Sequence, residues 1–138
     1  MRKLGIIAGG GALPGQIVSA CRDTGRPHIV LAFEGSADPA SFDGAPVEWI
    51  RASGISKALD IARREKVEEL VLVGGIQRPS MLELMRDARS AKFLAKVGTR
   101  LLGDDNLLSA VVREIEESEG FRVIGPEVIL EDILATAG

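Results

Sequence analysis

Short apolar runs alternate with longer stretches of helical period along most of the chain. "KLGIIAG" (Lys3 to Gly9) is apolar at consecutive positions, β-branched at its centre and closed by glycine, which predicts a strand buried on both faces. Leu13, Ile17, Val18 and Cys21 then recur at helical spacing, and Thr24-Gly25 ends that helix. "HIVLAF" reads as a second buried strand, and "VEWIRA" (Val47 to Ala52) as a third that alternates weakly. Between them, Glu34 to Pro46 is a Gly/Ser/Asp/Pro-rich loop, long enough to be mobile or to sit over a site. Ser53-Gly54 leads into a helix to Lys66 with Ile55, Leu59 and Ala62 on one face, and "ELVLVGG" (Glu69 to Gly75) is the clearest buried strand. Ser80 and Glu83 have capping-box spacing and open a helix towards Leu102, with a break near Ala91 or Gly98. Leu107, Leu108, Val111, Val112 and Ile115 form one apolar stripe, Gly120 stops that helix, and "FRVIG" gives a last short strand.

Buried strands alternating with helices predict an α/β fold of the Rossmann-like kind, a mainly parallel sheet with helices on both faces. The 138 residues fit one domain with a real core. The domain is clear to about Gly125, and the tail "PEVILEDILATAG" reads as the start of a linker or of a further element.

Composition removes several functions. The formal net charge is −3, no Lys/Arg block stands out, and aromatic residues make up 4% of the chain. A nucleic-acid binder needs a basic stripe and stacking surfaces, so no DNA or RNA partner is expected. Cys21 is the single cysteine and His28 the single histidine, which excludes an internal disulfide and a multi-cysteine zinc site. Cys21 reads as a small buried hydrophobe and His28 as a structural or surface residue. The start "MRKLGIIAGG" with "VSAC" (Val18 to Cys21) has the outline of an export signal, but Gly9, Gly10, Gly11, Pro14, Gly15 and Gln16 break its apolar core. No stretch reaches the apolar length of a membrane span, and the cytoplasm is the expected compartment.

Three constellations remain for chemistry. Gly9-Gly10-Gly11 through Gly15 lies at the first strand-to-helix turn, where backbone N–H groups and a helix N-terminus suit an anion. Gly9, Gly11 and Gly15 approach a dinucleotide fingerprint but are one residue too long, and Glu34 stands where a ribose-binding acid belongs. A nicotinamide-binding domain, a phosphate- or nucleotide-type site, and a turn that merely needs small residues all remain open. No Walker lysine is present. "VGGIQRP" (Val73 to Pro79) follows another buried strand on the same edge, and Arg78 can meet an anion with its planar fork or stay solvated. "GDD" (Gly103 to Asp105) either caps the next helix or offers a carboxylate to Mg²⁺ against a ligand's phosphates.

"KLGIIAGGGALP", "VGGIQRP" with Asp87 nine residues beyond Arg78, "GDDNLL" and "EGFRVIGPEVILEDIL" stand in this order through the chain. As an ordered set they resemble the amino-terminal half of the I-type UDP-2,3-diacylglucosamine pyrophosphatases, and the resemblance covers essentially all 138 residues. It implies hydrolysis of UDP-2,3-diacylglucosamine to 2,3-diacylglucosamine 1-phosphate and UMP, a magnesium-dependent step of lipid A assembly in Gram-negative bacteria. By position it assigns Gly10, Gly11 and Ala12 to one wall of the substrate site and Gly75, Ile76 and Arg78 to another. Thr99, Asp104 and Asp105 are further candidates. The resemblance implies a substrate held between two domains, with the catalytic aspartate in the second, so no position here inherits that role and residues 1–138 are expected to be the single Rossmann-like half. The expected partner is a UDP-linked acylated sugar, with contact at the membrane surface through that lipid and room for a homo-oligomer. A dinucleotide-binding oxidoreductase domain and a non-catalytic interaction module are the alternatives.

Overall fold

The computed structural model describes residues 2–34, 37–42, 44–50, 54–74, 92, 95–97, 99 and 107–137. Continuous apolar runs make strands where both faces can be covered, and the sheet formed by Leu4–Ala8 (β1), His28–Phe33 (β2), Val47–Ile50 (β3), Glu69–Val73 (β4) and Arg122–Val123 (β5) shows both faces covered. All pairings are parallel, in the order β3-β2-β1-β4-β5. Alternate residues of each strand feed two separate cores. Ile7, Leu31, Phe33 and Leu70 pack with Leu59 and Ala62 of a helix at Gly54–Arg64 (α2), with Ala110 of a helix at Leu107–Glu114 (α3) and with Ile115, which follows it. Leu4, Ile6, Val30 and Val71 face the other way, onto Ile17, Val18 and Cys21 of a helix at Leu13–Thr24 (α1). The expected α/β architecture is therefore present, and its strands lie where the apolar runs place them.

Helix ends follow the sequence signals. Gly25 adopts a left-handed φ of +69° after α1, donating its N–H to the Arg22 carbonyl while Arg26 donates to Cys21. Gly120 likewise is left-handed after a π-helical turn, Ile115–Glu119, that extends α3. Two features go beyond what the sequence pattern specified. The tail forms a helix, Pro126–Ala137 (α4), and Ile129 is buried against the α1 side of the sheet, so it closes a core rather than leading away from one. Within the 34–46 loop, Pro39–Phe42 forms a 3₁₀ turn whose Phe42 is buried in the same core and meets Trp49 at a ring-centroid distance of 6.2 Å. The described part of the loop packs against α1, where Ser41 stands beside Gly15. The helix expected from Ser80 to Leu102 falls mainly outside the described residues, of which 92, 95–97 and 99 are helical.

Candidate functional site

In an open parallel sheet, ligands settle beyond the carboxyl ends of the strands, where the chain reverses its order of travel. From β1 the chain moves outward through β2 to β3, then returns to lay β4 on the opposite side of β1. The reversal point is thus the gap between the ends of β1 and β4, and both strands finish in glycines there.

The two turns touch. Ala8 is in register with Val73, and beyond this pair the Gly9 N–H donates to the Val73 carbonyl at 2.9 Å. Gly74, with φ +86°, lies so close to the first turn that a Cβ there would stand 2.5 Å from the Gly10 oxygen and 2.9 Å from the Gly9 carbonyl carbon. Gly11 is also left-handed, φ +97°, yet open space surrounds the position of its missing Cβ. Gly74 is therefore glycine for both conformation and contact, and Gly11 for conformation alone.

Ala12 is the N-cap of α1 and provides no side-chain cap; Pro14 occupies the first turn, which holds no acidic residue. The first intrahelical bond runs from the Gln16 N–H to the Ala12 carbonyl at 3.3 Å. By helix geometry the amides of Ala12, Leu13 and Gly15 have no acceptor within the helix, and Pro14 has no N–H to offer. Among the described residues no side-chain cap or first-turn acid offsets the partial positive charge of this helix end, which lies beside exposed Gly11 and Ala12. An open groove of about 570 Å³ begins at Ala12 and Gly15 and follows α1 past Ser19 to Asp23, walled by Ser41 and Leu130.

Of the residues expected to meet a ligand, Gly10, Gly11 and Ala12 stand together at this edge. Gly75, Ile76, Arg78, Asp104 and Asp105 lie outside the described residues. Thr99 is exposed and back-bonds through its hydroxyl to the Ala95 carbonyl at 3.1 Å. It lines a different groove, of about 460 Å³, with Lys96, Glu114 and Ser118. Ser118 lies near the end of the segment that delivers the chain to the start of β5, so that groove reaches towards the amino-terminal edge of the sheet. Glu34 is exposed at the carboxyl end of β2, and its N–H donates to the Ile50 carbonyl.

A largely buried charge cluster lies elsewhere. At the amino-terminal edge, the Glu69 carboxylate meets Arg26 at 2.5 Å, Arg122 at 3.5 Å and Arg2 at 3.6 Å. His28 is at the same edge, where its Nδ1–H donates to the Arg26 carbonyl at 2.8 Å and its buried Nε2 has no partner among the described residues. Cys21 is buried in the core, and burial pushes its thiol pKa up, with the Arg26 charge opposing part of that shift. The thiol is a packing group, as the sequence suggests, and a poor nucleophile. The glycine edge therefore presents backbone donors to a ligand; it holds neither the histidine nor the thiol. Sequence reasoning put both glycine turns on one edge but gave Gly74 no role, because that role depends on a contact between turns more than sixty positions apart.

The family model described as "LpxI N-terminal domain" matches residues 3–133. The chain is 36% identical over 139 aligned residues to the UDP-2,3-diacylglucosamine pyrophosphatase LpxI of Caulobacter vibrioides. That alignment covers 100% of the chain and 49% of the relative, so the chain spans about half the relative's length. Among solved structures, the ternary complex of leucoanthocyanidin reductase from Vitis vinifera aligns with 89% of this chain and 45% of its own, at 17% identity and a TM-score of 0.47. Its binary complex with NADPH aligns with 91% and 48%, at 19% identity and the same TM-score. At that distance neither bears on the ligand of this chain.

Proposed function

Because the chain belongs to the LpxI N-terminal domain family, we propose that it is the nucleotide-sugar-binding half of a UDP-2,3-diacylglucosamine pyrophosphatase. The whole reaction would hydrolyse UDP-2,3-diacylglucosamine to 2,3-diacylglucosamine 1-phosphate and UMP during lipid A assembly. One observation carries the reading: the interlocked glycine turns at the β1/β4 reversal, with the uncapped end of α1 aimed from beside them. A pyrophosphate is the part of this substrate that such a cradle suits. It carries negative charge in a compact group, and amides of Gly11, Ala12, Leu13 and Gly15 can donate to its oxygens without side-chain rearrangement. Gly75, Ile76 and Arg78 would continue the wall from β4, with Arg78 meeting a phosphate through its fork. Thr99, in its separate groove, would contribute at a more distant part of the ligand.

In this reading the described residues would orient the substrate, because the resemblance puts the catalytic aspartate in a second domain. Among them no three His, Cys, Asp or Glu side chains gather to hold a metal. Magnesium, which the resemblance implies, would be held with the help of the second domain, and an aspartate of the 103–105 segment could offer it a carboxylate beside the ligand's phosphate oxygens. When bound, it would neutralise charge on the pyrophosphate. The diacyl substrate would bring a cytoplasmic domain to the membrane surface, and among the described residues no helix is long and apolar enough to cross it.

Ligand choice tests the reading. Isothermal titration of the purified chain with UDP and with NADH should give measurable binding of UDP at least tenfold tighter than of NADH, a difference of about 1.4 kcal/mol. Equal or tighter NADH binding would replace the pyrophosphatase reading with the oxidoreductase one.

A further inference from the structure

The Gly10 carbonyl oxygen rests against the bare Cα of Gly74, at the place where any side chain on residue 74 would begin. The neighbours that such a side chain would meet are backbone atoms of Gly9 and Gly10, which cannot swing aside as a flexible side-chain tip can. Peptide units are planar and trans, so the N–H of Gly11 points opposite to the carbonyl of Gly10. With that carbonyl directed at the β4 turn, the Gly11 N–H is directed away from it, at an exposed residue beside the α1 N-terminus. A rotated peptide would present a carbonyl oxygen to the same space, and an anion would meet negative charge instead of a donor.

We infer that Gly74 is a positioning residue of the phosphate cradle. Its missing side chain seats the Gly10 carbonyl against the β4 turn and thereby fixes the Gly11 amide as a donor to a ligand phosphate. The inference rests on the nucleotide-sugar reading and extends it to a residue that touches no ligand. Gly25 is the natural control, because it too is left-handed, φ +69°, but nothing lies within 4 Å of where its Cβ would be.

The test compares Gly74→Ala, Gly74→Asn and Gly25→Ala with the unaltered chain, titrating each with UDP and with uridine. Asparagine tolerates a left-handed backbone but still places a Cβ on the Gly10 oxygen, so it separates strain from contact and serves if alanine prevents folding. Both Gly74 variants should bind UDP about 10- to 100-fold more weakly, the loss expected for one hydrogen bond to a charged group. Uridine, which lacks phosphate, should change by about twofold or less, and Gly25→Ala should leave both affinities near wild type. In the unaltered chain, UDP should move the Gly11 amide resonance. Unchanged UDP affinity in the Gly74 variants, equal weakening of uridine and UDP, or a Gly11 amide that bound UDP leaves unmoved would overturn the inference. A chain that binds neither UDP nor uridine would instead overturn the nucleotide-sugar reading beneath it.

Discussion

Glu69→Ala should destabilise the domain by about 3–5 kcal/mol, the usual cost of removing one partner from a buried ion pair. Glu69 opens β4, and its side chain is 10% exposed; the Arg26 side chain that it holds at 2.5 Å is 13% exposed. Arg2 and Arg122 approach the same carboxylate from the starts of β1 and β5 but are more than half exposed, so water compensates them when it is lost. Arg26 has less relief. It also donates from Nε to the Arg2 carbonyl at 3.2 Å, so it ties the entry of β2 to that of β1. The loss would be a large part of the 5–15 kcal/mol that stabilises an ordinary domain. Urea unfolding followed by circular dichroism should show it as a lower midpoint. The double variant Glu69→Ala/Arg26→Met should recover part of the loss, because it no longer leaves a guanidinium in a half-dry site. A single variant within about 0.5 kcal/mol of wild type would show that the cluster is a solvated surface feature.

The second large effect concerns α4. Ile129 is 4% exposed and belongs to the core that contains Ile17, Val18, Cys21 and Val71. Truncation to alanine should cost about 2–5 kcal/mol, the transfer energy of the lost carbons plus the cavity they leave. Val128, its exposed neighbour on the same helix, should tolerate alanine within about 0.5 kcal/mol. Thermal unfolding of the two variants side by side makes the comparison. Equal melting temperatures would mean that α4 is an appendage and that the domain ends near Gly125.

This helix also shows what the sequence reveals and what it withholds. Strands β1, β2 and β4 were legible because burial on both faces leaves an unbroken apolar run, and glycine marks where β1 and β4 end. Their order was not legible, since nothing local says that β4 returns to lie beside β1. The apolar positions of "EVILEDIL" do carry a helical period, but a period does not say which surface receives it. Recognising α4 as part of the core needed the exposed side of α1, which the sheet itself cannot cover. The same limit hid the Glu69 cluster. Its arginines, at positions 2, 26 and 122, lie at or just before the starts of three different strands and converge only when those strands lie side by side. At the site, Gly9, Gly10, Gly11 and Gly15 were legible as a glycine turn between strand and helix, while Ala12 entered only through the family resemblance. The role of Gly74 depends on register between two strands and on a left-handed turn, neither of which is written in either segment alone.

The central claim is that a UDP ligand sits where the β1 and β4 turns meet. Amide mapping of the isotopically labelled chain during a UDP titration tests it most directly. The account predicts that the largest resonance shifts fall on Gly9 to Leu13, Gly15 and Gly74, while Arg26, Glu69 and Arg122 at the opposite edge stay in place. Shifts centred on that opposite edge or on the Lys96–Thr99–Glu114 groove, with the glycine amides unmoved, would contradict it.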